Sequence, residues 1–163
     1  MALFKPAHRI GKMIELTPAM LGDWGVTALL LDIDNTMTTH NNPEPAEGVQ
    51  AWIDGMKNAG FSLMVVSNNN GERVRLFSQR VGLPYEGSAA KPLPMGFRRA
   101  CRHLGVRPAQ TAVVGDQIFT DILGGNLLGA CTVMTEPYQL EEHLFFRVKR
   151  ACERAVMAWW KEI

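Results

Sequence analysis

The sequence predicts an α/β fold, a three-layer, Rossmann-like parallel sheet of about five strands flanked by helices. Two observations predict it. From Ala28 onward, short apolar runs alternate with longer stretches of helical periodicity, which is how repeated strand–helix units of a parallel sheet read in sequence. Several of those runs also end in polar clusters, as expected where an open parallel sheet turns the carboxyl ends of its strands toward a ligand.

Taken in order, residues 1 to about 25 form a leader with scattered basic residues and no continuous apolar core of signal-peptide length. Strands are expected at Ala28–Ile33, Ser62–Val66, Thr111–Gly115 and Cys131–Met134, with a weaker one at Tyr85–Ser88. Between them, Val49, Trp52, Ile53 and Met56 recur at helical spacing before Gly60, and Val74, Phe77 and Val81 do so before Gly82. Met95 to Leu104 reads as a helix that stops at Gly105. A last helix, over about 139–163, is amphipathic: Phe145, Val148, Cys152, Val156, Trp159 and Ile163 share one face, and Arg147, Arg150 and Arg154 the other. It is expected to cover the sheet or another chain, with an anionic membrane as the other candidate. Phe4, Lys5, His8, Arg9 and Lys12 raise the same membrane question.

The 163 residues suit a single domain, and 47% hydrophobic with 20% charged residues is an ordinary globular composition. A net charge of +1 gives little attraction for polyanions, so no nucleic-acid partner is expected. Cys101, Cys131 and Cys152 form neither a CxxC pair nor a zinc-like cluster, which suits reduced thiols and a cytoplasmic location. No run reaches the roughly 18 apolar residues of a membrane span, so any membrane contact is expected to be peripheral.

The chemistry gathers at the strand ends. In "LLLDIDNT" side chains alternate, so Asp32 and Asp34 project the same way. Two unit charges roughly 5 Å apart repel by about 3 kcal/mol at an effective dielectric of about 20, so the pair requires a proton, a cation or a lysine. Asp116 and Asp121, in "VVGDQIFTD", bring the count at one sheet edge to four carboxylates. An oxygen-rich cluster without thiols or imidazoles favours Mg²⁺ over zinc. Ser67, Asn68 and the backbone N–H groups of "VVSNNN" are donors suited to an anion, and Lys91 adds positive charge. A metal and a phosphate together account for this mixture. Asp32 can then serve as nucleophile and Asp34 as general acid and base. Thr36 is structural or a minor donor, and the histidines, His40 among them, are assigned no role. Gly124, Gly125 and Gly129 read as backbone spacing rather than a nucleotide cradle.

Taken singly each of these segments is weak, since Asp, Ser and Asn also cap helices and make turns. Together, "DIDNT", "VVSNN", "AAKP" and "VGDQIFTD" stand in the order and spacing of the four motifs of the haloacid-dehalogenase-like phosphatases. The chain resembles, more narrowly, the YqeG-type phosphatases of subfamily IIIA and the related mitochondrial phosphatidylglycerophosphatases, over roughly residues 14 to 135. The resemblance implies that Asp32 is the nucleophile and Asp34 the general acid/base, that Ser67 and Lys91 bind phosphate, and that Asp116 is a metal ligand. The metal would be held also by Asp32 and by the backbone carbonyl of Asp34. Asp121 would hold a metal-bound water or orient Lys91. Met37 stands where the family usually has leucine, and "EEHLFFRVKRACERAV" follows the family only loosely.

Relatives of this kind often carry a cap domain after the first motif or between the second and third, and this chain has little room for one. An open site suits a phosphate embedded in something large, and phosphatidylglycerophosphate is the substrate expected from the resemblance. The alternatives are a protein phosphatase and a non-catalytic scaffold on the same fold.

Overall fold

The computed structural model describes residues 2–139, 151–153 and 155–158. Six strands form one wholly parallel sheet: β1 (His8–Ile10), β2 (Ala28–Leu31), β3 (Ser62–Val66), β4 (Tyr85–Glu86), β5 (Thr111–Gly115) and β6 (Cys131–Thr135), in the order β1-β6-β5-β2-β3-β4. The expected count was about five. The additional strand, β1, spans only three residues and pairs His8 with Val133 and Ile10 with Thr135 at the sheet's edge. It is too short to show a period of two, and "HRI" carries no apolar run.

Five α-helices connect these strands: α1 (Pro18–Asp23), α2 (Val49–Asn58), α3 (Gly71–Val81), α4 (Pro94–Leu104) and α5 (Leu123–Leu128). Every residue of β2 is buried, as expected for a central strand covered on both sides. Leu29 and Leu31 pack on one face with Val49, Ile53, Val74 and Phe77 from α2 and α3. Leu30 packs on the other with Phe97, Ala100 and Cys101 from α4 and Leu128 from α5. That alternation makes three layers. Gly125 allows α5 to lie against the sheet, because a Cβ there would come within 2.6 Å of the Thr132 methyl and 3.0 Å of Val113.

Between β2 and β3 lies one α-helix, and between β3 and β4 another, so neither interval holds a cap domain. Chain direction across the sheet reverses between β2 and β5: the path from β2 leads outward through β3 to β4, and from β5 outward through β6. This switch point opens a crevice at the carboxyl ends of β2 and β5.

The leader packs rather than projecting. Phe4 meets Phe119 edge-on with ring centroids 5.8 Å apart, and His8 stacks on Trp24 at 3.6 Å. The Lys12 ammonium donates to the Glu136 and Pro137 carbonyls. Phe4, His8 and Lys12 thus each have a partner within the chain. Of the expected C-terminal helix, 151–153 and 155–158 are described and helical, whereas Phe145, Val148, Trp159, Ile163, Arg147, Arg150 and Arg154 lie outside the described residues. The buried side differs from the expected one: Cys152 is exposed, while Glu153 is buried and accepts the Ile118 N–H at 2.9 Å. One turn on, Met157 packs against Ile118, Ile122 and Met134. A buried backbone N–H requires an acceptor, and that requirement outweighs the apolar pattern.

Candidate active site

Asp32 follows the last residue of β2 at the switch point, its N–H donating to Val114 O of β5 at 3.0 Å. Its carboxylate is buried, and Oδ1 accepts from the Lys91 ammonium at 2.7 Å. The same ammonium donates to Asp121 Oδ1 at 2.6 Å. Asp116, directly after β5, is fully buried, and carboxylate oxygens of Asp32, Asp116 and Asp121 lie within 4.8 Å of one another.

Three buried carboxylates and one buried ammonium lie together here, and burial makes each charge costly. Asp32 registers it. Burial above all, and the charges of Asp121 and Asp34 beside it, push its carboxyl up to about 7 against the opposing pull of Lys91. Burial opposes the charged form of Lys91, yet the two carboxylates raise it above the ordinary lysine value. An all-oxygen, buried cluster of carboxylates fits a hard divalent cation. Asp121 accepts from Lys91 at Oδ1 and from the Gln117 N–H at Oδ2, 3.2 Å away, and with Asp32 and Asp116 it makes up the group of carboxylates that could hold a cation.

Asp121 reaches this position by way of a π-helical turn, Ile118–Ile122, in which the Ile122 N–H donates to Gln117 O. The wide turn swings the side chain back over Gly115. A Cβ at Gly115 would lie 2.4 Å from the Asp121 carboxylate, so glycine is required there.

Ser67 and Asn68 follow β3. Ser67 is buried, lines the cleft, and its hydroxyl accepts the Asn69 N–H at 3.2 Å. Asn68, expected as a phosphate binder, lines the cleft as well, and its side chain has a further task. Its Oδ1 accepts the Lys91 N–H at 2.6 Å and its Nδ2 donates to the Lys91 carbonyl at 2.9 Å, so it fixes the main chain of the lysine. Ala90, just before, holds a left-handed φ of 57°, an uncommon conformation for a residue with a Cβ and one kept by such surrounding contacts. Thr36 is buried in the turn after β2, its N–H donating to Ile33 O, and does not line the cleft.

Asp34 has a separate environment. Arg73, in the first turn of α3, grips it with both prongs, Nη1 to Oδ2 at 2.8 Å and Nη2 to Oδ1 at 2.7 Å. The Asn69 side-chain amide and the Asn41 N–H donate to it as well. Burial alone would raise the Asp34 carboxyl, but the donors from Arg73, Asn69 and Asn41, with the guanidinium charge, hold it below the usual carboxylate range. Its carboxylate stands apart from the three-aspartate cluster, which leaves its main-chain carbonyl as the expected metal contact.

A cleft of about 200 Å³ opens over these groups, lined by Asp32, Asp34, Ser67 and Lys91 and also by His40, Gln117 and Thr120. No sequence pattern points to His40, yet its Nδ1 lies 3.7 Å from Asp34 Oδ1. Arg73 was missed as well. Its position held one signal: a helix that starts at the end of β3 must turn its first residues toward the crevice.

Comparison with known proteins accords with this geometry. The haloacid dehalogenase-like hydrolase family model matches residues 25–129. A probable phosphatase, YqeG, of Bacillus subtilis (strain 168) is 33% identical over 155 residues, covering 95% of this chain and 90% of that protein. The chloroplastic/mitochondrial phosphatidylglycerophosphate phosphatase 1 of Arabidopsis thaliana is 27% identical over 146 residues, 83% of this chain but 42% of that protein. A crystal structure from Listeria monocytogenes serotype 4b shares the fold, with a TM-score of 0.60 at 17% identity over 72% of this chain and 85% of that one. With a family model spanning more than half its length and a relative 33% identical along nearly all of it, the chain belongs to the haloacid dehalogenase-like hydrolases, and among them to the phosphatases.

Proposed function

We propose that this phosphatase is Mg²⁺-dependent, works through an aspartyl-phosphate on Asp32, and acts on phosphatidylglycerophosphate. The observation that carries the proposal is Asp32 itself: a buried strand-end carboxylate that shares one ammonium with Asp121 and stands beside Asp116. Asp32, Asp116 and the Asp34 carbonyl would hold the cation, which supplies positive charge against the incoming phosphate.

An oxygen of Asp32 attacks phosphorus as the bond to the ester oxygen breaks. Asp34, held as a carboxylate by its donors, must first take up a proton from solvent, which it then gives to that leaving oxygen. Water then attacks the acyl phosphate and gives a proton back to Asp34; the bond from phosphorus to Asp32 breaks and inorganic phosphate leaves. Lys91 and the Ser67 hydroxyl stabilise the phosphoryl oxygens throughout. The lipid assignment is supported by the Arabidopsis relative's name and by a cleft that no cap domain covers. No helix of the described residues is long and apolar enough to cross a membrane; the proposal has the enzyme meet its lipid peripherally, from the cytoplasmic side.

The test is phosphate release from phosphatidylglycerophosphate, a phosphopeptide and an aryl phosphate, with Mg²⁺ or EDTA, beside Asp32→Asn. Lipid preference abolished by EDTA and by the substitution is expected. Preference for the phosphopeptide would replace the lipid by a protein substrate, and full lipid hydrolysis by Asp32→Asn would overturn the mechanism.

A further inference from the structure

The mechanism leaves one strong interaction without a use. Asp34 must turn to the leaving oxygen, yet the guanidinium of Arg73 occupies both its oxygens at 2.7 and 2.8 Å, with Asn69 and the Asn41 N–H adding two more donors. A carboxylate so saturated is anchored rather than poised. For catalysis the fork of Arg73 requires another anion to hold.

Arg73 stands where such an anion would arrive. Its side chain is 24% exposed and links two concavities: its guanidinium holds Asp34, which lines the cleft, and Arg73 itself lines a second groove of about 300 Å³. Arg80, Pro43, Leu76 and Phe77 line the same groove. Arg80 is committed to the Pro43 carbonyl and to Glu44, so Arg73 is the cation that faces Asp34. Carboxylate and phosphate offer a guanidinium the same two-pronged geometry, so exchanging one for the other keeps both hydrogen bonds. The groove beyond carries exposed Leu76, which suits a substrate whose anion continues into apolar material.

Resting on the phosphatase reading above, we propose that Arg73 is a specificity-determining residue that receives a second phosphate group on the leaving-group side of the substrate. The preferred substrate class is then a phosphomonoester with a phosphodiester or second phosphate a few atoms away. Transfer of the fork to that group frees Asp34 to turn toward the leaving oxygen. Plain monoesters cannot make the exchange and are poor substrates.

The test compares glycerol 3-phosphate, which lacks the second anion, with the deacylated headgroup glycerophosphoglycerol phosphate, both with Mg²⁺. The expected wild-type kcat/KM favours the headgroup by about tenfold or more, the scale of a charge-assisted fork. Arg73→Gln should bring the two substrates within about threefold of each other. Arg73→Lys, which retains the cation beside Asp34, should keep only part of the preference and covers the case in which the glutamine variant does not fold. A merely structural role would lower both substrates by the same factor. Equal wild-type values, or an unchanged ratio in the variants, would overturn the proposal while leaving the phosphatase reading intact. If neither substrate is hydrolysed, that reading fails instead, and calorimetric titration of the headgroup decides Arg73. Binding weakened about tenfold or more by Arg73→Gln supports the subsite, and equal or absent wild-type binding overturns it. Intact lipid in detergent micelles, run beside the headgroup, identifies the anion's source: a rate gain marks a lipid, parity a soluble bisphosphate.

Discussion

Asp32 and Asp34 leave the same strand two residues apart, and the fold treats them oppositely. Asp32 shares one ammonium with a second carboxylate and is pushed up to about 7. Asp34 alone holds a whole guanidinium and two further donors, and is pushed down. One carboxylate shares its cation and the other has a cation to itself. The first environment calls for a cation from solution, and the second for a partner to be withdrawn, so two chemically identical groups acquire different tasks from their neighbours.

Substitution at each aspartate breaks the comparison most sharply. Asp32→Asn removes the nucleophile and should lower kcat by at least about a thousandfold. Its melting temperature should hold or rise, because a neutral amide avoids the burial cost that raises the Asp32 carboxyl; a steep fall in melting temperature would assign the activity loss to misfolding. Asp34→Asn should cost about 10²- to 10⁴-fold on an alkyl phosphate, in line with general acid–base catalysis, and much less on an aryl phosphate whose leaving group needs little protonation. Equal losses on both esters would remove Asp34 from proton transfer.

Smaller effects sharpen the contrast. Mg²⁺ should raise the melting temperature of the wild type but not of Asp116→Asn. Since protons and the cation compete for Asp32, Mg²⁺ affinity measured by calorimetry should fall by about tenfold per pH unit below 7 and level off above it. An affinity independent of pH between 5 and 7 would contradict the raised Asp32. Smallest is Gly115→Ala, which displaces the Asp121 carboxylate and through it Lys91, with an expected loss of about 1–3 kcal/mol in chemical denaturation.

The acidic side of this comparison was legible in the sequence and the basic side was not. Asp32 and Asp116 end apolar runs, a signal that survives without a structure because a buried strand has few other places for charge. Lys91 could be placed only through its motif, and the Asn68 amide that fixes it looks in sequence like any loop asparagine. Arg73 sits in "GERVRLFSQR" among charges that form ordinary helix-surface pairs, such as Arg75 with Glu72. Its distinction is a partner 39 residues away in sequence, and helical periodicity carries no information about such a partner. The same limit hid Glu153, whose acceptor role depends on a π-helical turn that no local pattern announces.

The uncovered crevice has a kinetic consequence. Among the described residues nothing spans the cleft, so none of them is a lid that must lift before phosphate departs. The rate should follow the quality of the leaving group and be indifferent to solvent viscosity. The exclusion of water that other enzymes obtain by closing would fall to the substrate's own surroundings, which makes the medium presenting the phosphate part of the catalyst.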